Sequence, residues 1–444
     1  MRQLMGQIRR LLAHSRAPLI ALLIILALSA VARVAFIGRP CSSPCKTGRD
    51  HSLIFDEAYY VNAARVIAGV RPPAGVPYAD APLGKDPNAE HPQLAKLVMA
   101  GGIDLFGDNP WGWRLGSVVF GLIAIVAMYL LVRGAGGSRW LAVGAAGVMA
   151  ADNMMLIHGR IATLDIYAVA PLIGAAALYV RGRPWLAGVV LGLAACMKLV
   201  ALFLVPALVL FEVIQVLWNW RTPGGRLAVI RGRAIPLVIT VACSLVTVIV
   251  GVWVLDLLVA AYDPGTRITY AGNPFKHIGH MLSYAEKLKS VPNATGISST
   301  PWQWLLNQKP IDYSRVAVNS SSGAKIVASR AVFAARGEIN PFVIFLAFPA
   351  LFAAVAAAWY ERDRVAAIGA AWCVGTFLPF VLQAQILGRT SYLYYMLIVL
   401  PGLYLITARM FSPTRIPRAA TLGWVVALLY SLIDLYPVRS LSGH

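Results

Sequence analysis

The chain has 444 residues, 59% of them hydrophobic and only 13% charged, with a formal net charge of +20. That much apolar surface excludes a soluble globular protein, and the length accommodates up to a dozen membrane spans of roughly 20 residues each. The positive charge is arginine placed between apolar runs, so it reads as a topology and lipid-headgroup signal and not as a nucleic-acid surface, for which there is no soluble basic domain.

The apolar runs predict an all-α polytopic membrane protein with about eleven transmembrane helices, near 17–37, 114–133, 140–157, 161–180, 185–197, 199–218, 235–260, 340–359, 365–383, 391–410 and 419–437. Arg2, Arg9, Arg10 and Arg16 precede the first run, which is too long for a signal peptide and lacks a small-residue cleavage site, so an uncleaved first helix is expected. The fifth and sixth runs meet at Met197-Lys198, which predicts a tight hairpin or a broken helix. With a cytoplasmic N-terminus, the inner loops collect Arg133, Arg139, Arg181, Arg183, Arg221, Arg226, Arg231, Arg233, Arg362, Arg364, Arg409, Arg415 and Arg418, whereas the short outer turns hold only Arg160, Lys198 and Arg389. The expectation is therefore a plasma (inner) membrane protein with its C-terminus outside.

Two long segments fall outside. The chain divides into an N-terminal transmembrane module over 1–260, which includes the first outer loop 38–113, a second outer loop over 261–339, and C-terminal helices over 340–444. In the first loop, Ala58–Ile67 and Gln93–Phe106 are predicted as amphipathic helices on the membrane surface, joined by Gly/Pro-rich 71–92. Cys41 and Cys45 are close enough for a disulfide, while a metal site there needs two further ligands; Cys196, Cys243 and Cys373 are small packing residues. The second loop mixes His277, His280 and Tyr284 with Trp302 and Trp304, and it contains the sequons Asn293-Ala-Thr295 and Asn319-Ser-Ser321.

Ionisable residues among apolar spans are functional candidates. Asp56-Glu57 leads: adjacent carboxylates resist double ionisation, and burial then raises one pKa into the range of a general base for a hydroxyl proton. The competing reading makes Asp56 an N-cap and Glu57 a favourable first-turn acid of the helix that follows. In Glu90-His91-Pro92-Gln93-Leu94-Ala95-Lys96, Pro92 starts the second surface helix, and Lys96 either pairs with a lipid phosphate or snorkels. Glu90 and His91 supply two metal ligands at most. Arg114 and Arg160, at the outer ends of their spans, want anionic partners, and phosphate suits guanidinium; so do Lys198 and Arg389, with Asp152, Asp165 and lipid as the alternative partners. Asp165 is expected to face protein. No phosphate-binding glycine loop or dinucleotide fingerprint is present, so the donor of any group transfer has to be held in the membrane.

The ordered set Asp56-Glu-Ala-Tyr-Tyr60, His91-Pro-Gln-Leu-Ala-Lys96, Trp113-Arg-Leu-Gly-Ser-Val-Val-Phe-Gly121, Arg160-Ile-Ala-Thr-Leu-Asp165 and Gly188-Val-Val-Leu-Gly-Leu-Ala-Ala-Cys-Met-Lys198 resembles the protein O-mannosyltransferases of the GT-C superfamily over roughly residues 50–210. Ser299-Thr-Pro-Trp302-Gln-Trp304 and Tyr392 to Pro401 resemble that family's late loop and final aromatic-proline span. The resemblance implies an inverting transfer of a sugar, by family habit mannose, from a polyprenyl-phosphate donor to a hydroxyl of a secreted protein, or of a glycan or lipid. It implies Asp56 as base, Glu57 as an orienting group, Arg114 as the leading phosphate-side cation supported by Lys96, Arg160, Lys198 and Arg389, and no required metal. Glu90, His91, Asp165, Tyr60, Trp302 and Tyr394 become candidates for positioning donor and acceptor. Gln93 stands where the family commonly has a second proline, and Glu90 is similar to the corresponding residue of the lipid-A aminoarabinose transferases, which leaves the acceptor open.

Overall fold

The computed structural model describes residues 16–41, 45, 47, 50–220, 225–289, 296–322, 325–412 and 416–439, with the side chains of 318–329 excepted. Arg2, Arg9, Arg10, Arg221, Arg415 and the sequon at 293–295 lie outside the described residues.

The chain is mostly helical. Helix α1 (Ala17–Val34) is followed by α2 (Glu57–Ile67) and α3 (Leu94–Phe106), then by α4 (Pro110–Gly134), α5 (Arg139–Ala150), the single-turn-and-a-half α6 (Asn153–His158), α7 (Leu164–Val180) and α8 (Pro184–Met197). A 3₁₀ segment, Leu199–Phe203, leads into α9 (Leu204–Trp218) and the long α10 (Arg226–Leu258). Next come the short strands β1 (Ala261–Asp263) and β2 (Ile268–Tyr270), α11 (Pro274–Lys287), α12 (Pro301–Trp304) and the hairpin β3 (Ile311–Ser322) and β4 (Lys325–Gly337). Helices α13 (Pro341–Ile344), α14 (Ala347–Glu361) and α15 (Arg364–Ile386), a 3₁₀ segment Leu393–Ile398, α16 (Leu400–Met410) and α17 (Arg418–Asp434) complete the order.

Among the described residues, five helical stretches are long and apolar enough to cross a membrane: Ala17–Val34, Pro110–Gly134, Leu199–Trp218, Arg226–Leu258 and Arg364–Ile386. Four shorter apolar helices accompany them, so not every predicted run is one continuous span. The run at 140–157 breaks between α5 and α6, where Asp152 takes an extended backbone and caps α6 by accepting from the Met155 N–H at 3.1 Å. The join at Lys198 is a broken helix: Lys198 itself is extended (φ −159°, ψ 122°) between α8 and the 3₁₀ turn. Broken backbone of this kind is tolerated within a membrane protein where it lines a protein cavity.

Two expectations change. The fold is not all-α: in the second outer loop, beside α11 and α12, residues alternate, as in Ile311-Asp-Tyr313 with two buried residues flanking an exposed one, and form two antiparallel two-stranded sheets. Helix α2 does not lie open on a membrane surface, because Glu57 and every residue from Tyr60 to Val66 are buried by protein. It packs on α3, and α3 packs on α4 through glycine. A Cβ on Gly102 would sit 2.2 Å from the Gly112 carbonyl oxygen, so only glycine lets these backbones meet. The cysteines of the first loop, Cys41 and Cys45, form a disulfide.

Candidate active site

The Asp56-Glu57 pair is split by its surroundings. Glu57 is fully buried and has every acceptor position used: Oε1 takes Arg114 Nε at 2.8 Å and the Ala162 N–H at 2.7 Å, and Oε2 takes an Arg114 terminal nitrogen at 2.7 Å and the Ile54 N–H at 2.7 Å. Arg114 is equally committed. Beyond Glu57 it donates to the carbonyls of Ile37 at 2.6 Å, Arg39 at 3.0 Å and Ser52 at 3.2 Å, which accounts for its five N–H donors. This knot ties α1, the first loop, α2, α4 and the turn before α7 into one unit.

Asp56 has the opposite setting. It occupies the N-cap position of α2 with helical φ and ψ and makes no side-chain cap bond, so the capping explanation of this residue does not hold. Phe55 before it is left-handed (φ 55°), a conformation costly for a bulky residue and held here by ring stacking on Tyr313 at 4.5 Å. The partly buried carboxyl is pushed up to about 6 by desolvation, against the pull of Lys198 and with a further push from Asp165. At neutral pH it is therefore mostly an ionised carboxylate of raised basicity, and among the described residues its side chain has no hydrogen-bond or ion-pair partner.

Facing it is a cationic and aromatic wall. Lys198 Nζ donates to Asp165 Oδ1 at 2.6 Å and lies 5.2 Å from the centre of the Tyr394 ring, and this one hydrogen bond leaves two of its protons for another anion. The Lys198 backbone break projects the ammonium toward this wall. Arg389 donates to Gln383 Oε1 at 2.9 Å, stands over Tyr395 at 5.8 Å, and has its Nε buried without a partner. His91 packs edge-on to Tyr60 at 5.9 Å, and burial together with Lys198, Lys96 and Arg389 holds its pKa well below the ordinary range, so it is neutral. Tyr392 stacks on Tyr394 at 5.5 Å, completing the wall.

The other predicted residues sit apart from this wall or are held by protein partners. Lys96 is fully buried, paired with Asp86 at 2.5 Å and donating to the Asn88 carbonyl at 2.6 Å and the His91 carbonyl at 3.0 Å. It braces the loop that presents His91 and has no donor left over. Arg160 donates to the carbonyls of Ala35 and Phe36 at the end of α1, where a cation is favourable, and stacks on Tyr436. Glu90 Oε2 accepts from Asn88 at 2.8 Å and its pKa is raised by burial. Trp302 is half exposed and meets Phe377 edge-on, one ring further out than Trp304, which is buried against Phe377, Phe380 and Tyr395. Among the described residues, Glu90 and His91 belong to no group of three close metal-ligating atoms. Among the described residues the one group of three close ligand atoms is Cys41, Cys45 and His51, whose thiols are joined to each other.

Several residues of the site escaped the sequence reading. His158 is buried, bonded to Thr163 Oγ1 at 2.9 Å and to the Tyr313 hydroxyl at 2.8 Å, and lies 3.8 Å from Asp165. Tyr313 comes from β3, in the far outer loop, and nothing in its local sequence marks it. Asp256 at the end of α10 accepts from Gln93 at 2.6 Å and bonds His277 at 2.9 Å, with all three side chains buried; His277 in turn bonds the Ala89 carbonyl at 3.0 Å. The glutamine that departs from the family's proline thus helps lock the second outer loop onto the first.

This helical bundle, with an acidic residue facing cations at one end, shares its fold with solved structures of a protein O-mannosyltransferase complex and of ArnT. It matches the Saccharomyces cerevisiae protein O-mannosyltransferase Pmt1-Pmt2 complex bound to the sugar donor at TM-score 0.66 and 12% identity, covering 95% of this chain and 90% of that one. It also matches ArnT from Cupriavidus metallidurans bound to undecaprenyl phosphate at TM-score 0.54 and 17% identity, covering 93% of this chain and 62% of that one.

Residues 89–262 match the family described as dolichyl-phosphate-mannose-protein mannosyltransferase. A polyprenol-phosphate-mannose–protein mannosyltransferase of Mycolicibacterium smegmatis is 24% identical over 92% of this chain and 85% of its own length. One of Corynebacterium glutamicum is 32% identical over 130 residues, which is 29% of this chain and 24% of that protein.

Proposed function

We propose that this protein is an inverting glycosyltransferase that moves mannose from a polyprenyl-phosphate donor to a Ser or Thr hydroxyl of a polypeptide on the extracytoplasmic side of the membrane. With α16 and α17, the five long and four shorter apolar helices make a bundle of about eleven crossings, with the arginine-rich loops inside. The observation that carries the reading is the contrast at Asp56-Glu57: one carboxylate is locked into protein and the other faces Lys198 and a tyrosine wall with its proton affinity raised.

In the reaction, the Asp56 carboxylate takes the proton of the acceptor hydroxyl as its oxygen attacks the anomeric carbon. The bond from that carbon to the phosphate oxygen breaks from the opposite face, and the electron pair leaves with polyprenyl phosphate. Lys198 and Arg389, the cations of the wall with donors to spare, stabilise the phosphate as its charge develops. Glu57 and Arg114 position Asp56, and Lys96 positions His91, so these residues act through others. The charge stabilisation comes from side chains, and no step is assigned to a metal.

The names of the mannosyltransferase relatives support the donor and the polypeptide acceptor. The test is transfer by the purified protein from polyprenyl-phosphate mannose to a Thr-containing peptide. The expected product is a mannosyl peptide of inverted anomeric configuration; absence of both transfer and donor binding would overturn the reading.

A further inference from the structure

The hairpin that delivers Tyr313 has two edges, and they are treated differently. The outer edge of β4 is covered by a stretch near the end of the described chain: the Ala334 N–H donates to the Pro437 carbonyl at 2.8 Å, the Arg439 N–H donates to the Val332 carbonyl at 2.9 Å, and Phe333 faces Val438 in an antiparallel bridge. An extended segment has thus already been added to this sheet by backbone pairing. The outer edge of β3 has no such cover. Among the described residues, β3 pairs with β4 and makes no backbone hydrogen bond to any other segment. An open edge presents a row of unpaired N–H and C=O groups, which cannot stand in hydrocarbon and must face water or a partner.

The position of this edge matters. Tyr313 belongs to β3, stacks on Phe55 at 4.5 Å and bonds His158 at 2.8 Å. The base of the open edge is therefore one side-chain contact from the residue preceding Asp56. Asp312 and Arg315 beside it are exposed.

We propose that the free edge of β3 is the track on which an extended acceptor polypeptide pairs, backbone to backbone, as it enters the Asp56 site; this rests on the polypeptide-acceptor reading above. Strand addition draws affinity from main-chain hydrogen bonds and asks little of the side chains. That suits acceptors which need share only a hydroxyl. Side-chain influence is confined to neighbours such as Arg315 and Asp312.

The test uses the full-length protein in detergent, polyprenyl-phosphate mannose and a single-Thr peptide in which each backbone nitrogen is methylated in turn. The expected result is a period of two: methylation at alternate positions on one side of the Thr raises KM tenfold or more with kcat little changed, and the intervening positions are tolerated. A flat scan with normal turnover of the parent peptide would overturn the track while leaving the transferase reading intact. The assignment to β3 is checked with Arg315→Glu, an exposed position outside the catalytic machinery. The preference between peptides carrying Glu or Lys near the Thr should reverse by about two- to fivefold in KM; an unchanged preference overturns it. If a flat scan is joined by a dimer that dissociates on Arg315→Glu, the edge belongs to a second copy of the chain. If the parent peptide is not mannosylated but the donor is hydrolysed, the polypeptide-acceptor reading fails, and the track with it.

Discussion

Glu57 and Arg114 meet in a buried two-point pair, at 2.8 and 2.7 Å, immediately beside an Asp56 that has no such partner. Removing one member of a buried pair strands the other charge and costs about 3–5 kcal/mol. Arg114→Ala and Glu57→Ala should therefore lower the unfolding free energy by that order, seen as a large drop in thermal midpoint in detergent. Arg114→Lys should rescue little of it, since an ammonium cannot serve both carboxylate oxygens and three carbonyls in one plane. A stable Arg114→Ala protein that had lost only donor affinity would instead return Arg114 to the phosphate.

The pH dependence follows from Asp56. Its pKa is raised to about 6, and the proposed base acts only when ionised, so kcat/KM should climb through that pH and level off above it. Lys198 pulls this pKa down. Lys198→Ala should move the acidic limb to higher pH as well as slow transfer through loss of phosphate stabilisation. A limb that stays fixed in this variant, measured with saturating donor, would mean that another group controls it.

Tyr313→Phe keeps the stack on Phe55 and deletes the bond to His158. Leaving a buried imidazole nitrogen without its partner costs about 1–3 kcal/mol. If the hairpin holds the site through this bond, kcat should fall several-fold with donor affinity unchanged. An unaltered kcat in a protein of reduced stability would confine the bond to a structural role.

Much of the bundle was legible because an apolar run announces itself. The break at Lys198 and the acidic pair at Asp56-Glu57 were also readable from local sequence. The partition of roles was not. Arg114, Lys96 and Lys198 look alike in a sequence, and only counting acceptors around each shows that the first two are saturated by carbonyls and carboxylates while Lys198 keeps protons to spare. The hairpin was missed because its period-two alternation is short and Ala-rich beside far stronger apolar signals, and Tyr313, His158 and Asp256 matter through contacts more than a hundred residues away or through a fold-dependent partner.

The central claim, that Asp56 is kept unpaired for catalysis, predicts opposite effects on activity and stability. Its folded pKa lies above its ordinary value of 3.8, so folding penalises the ionised form. The penalty is absent below that value and complete once pH has risen past about 6, where two units correspond to at most about 3 kcal/mol. Asp56→Asn removes the base and the penalty together. The measurement is turnover and thermal midpoint of Asp56→Asn against the parent protein at pH 7.5. The account predicts a 10²- to 10⁴-fold loss of kcat with a midpoint equal to or above the parent's. A variant that keeps its turnover, or one that loses turnover only in step with a falling midpoint, would contradict it.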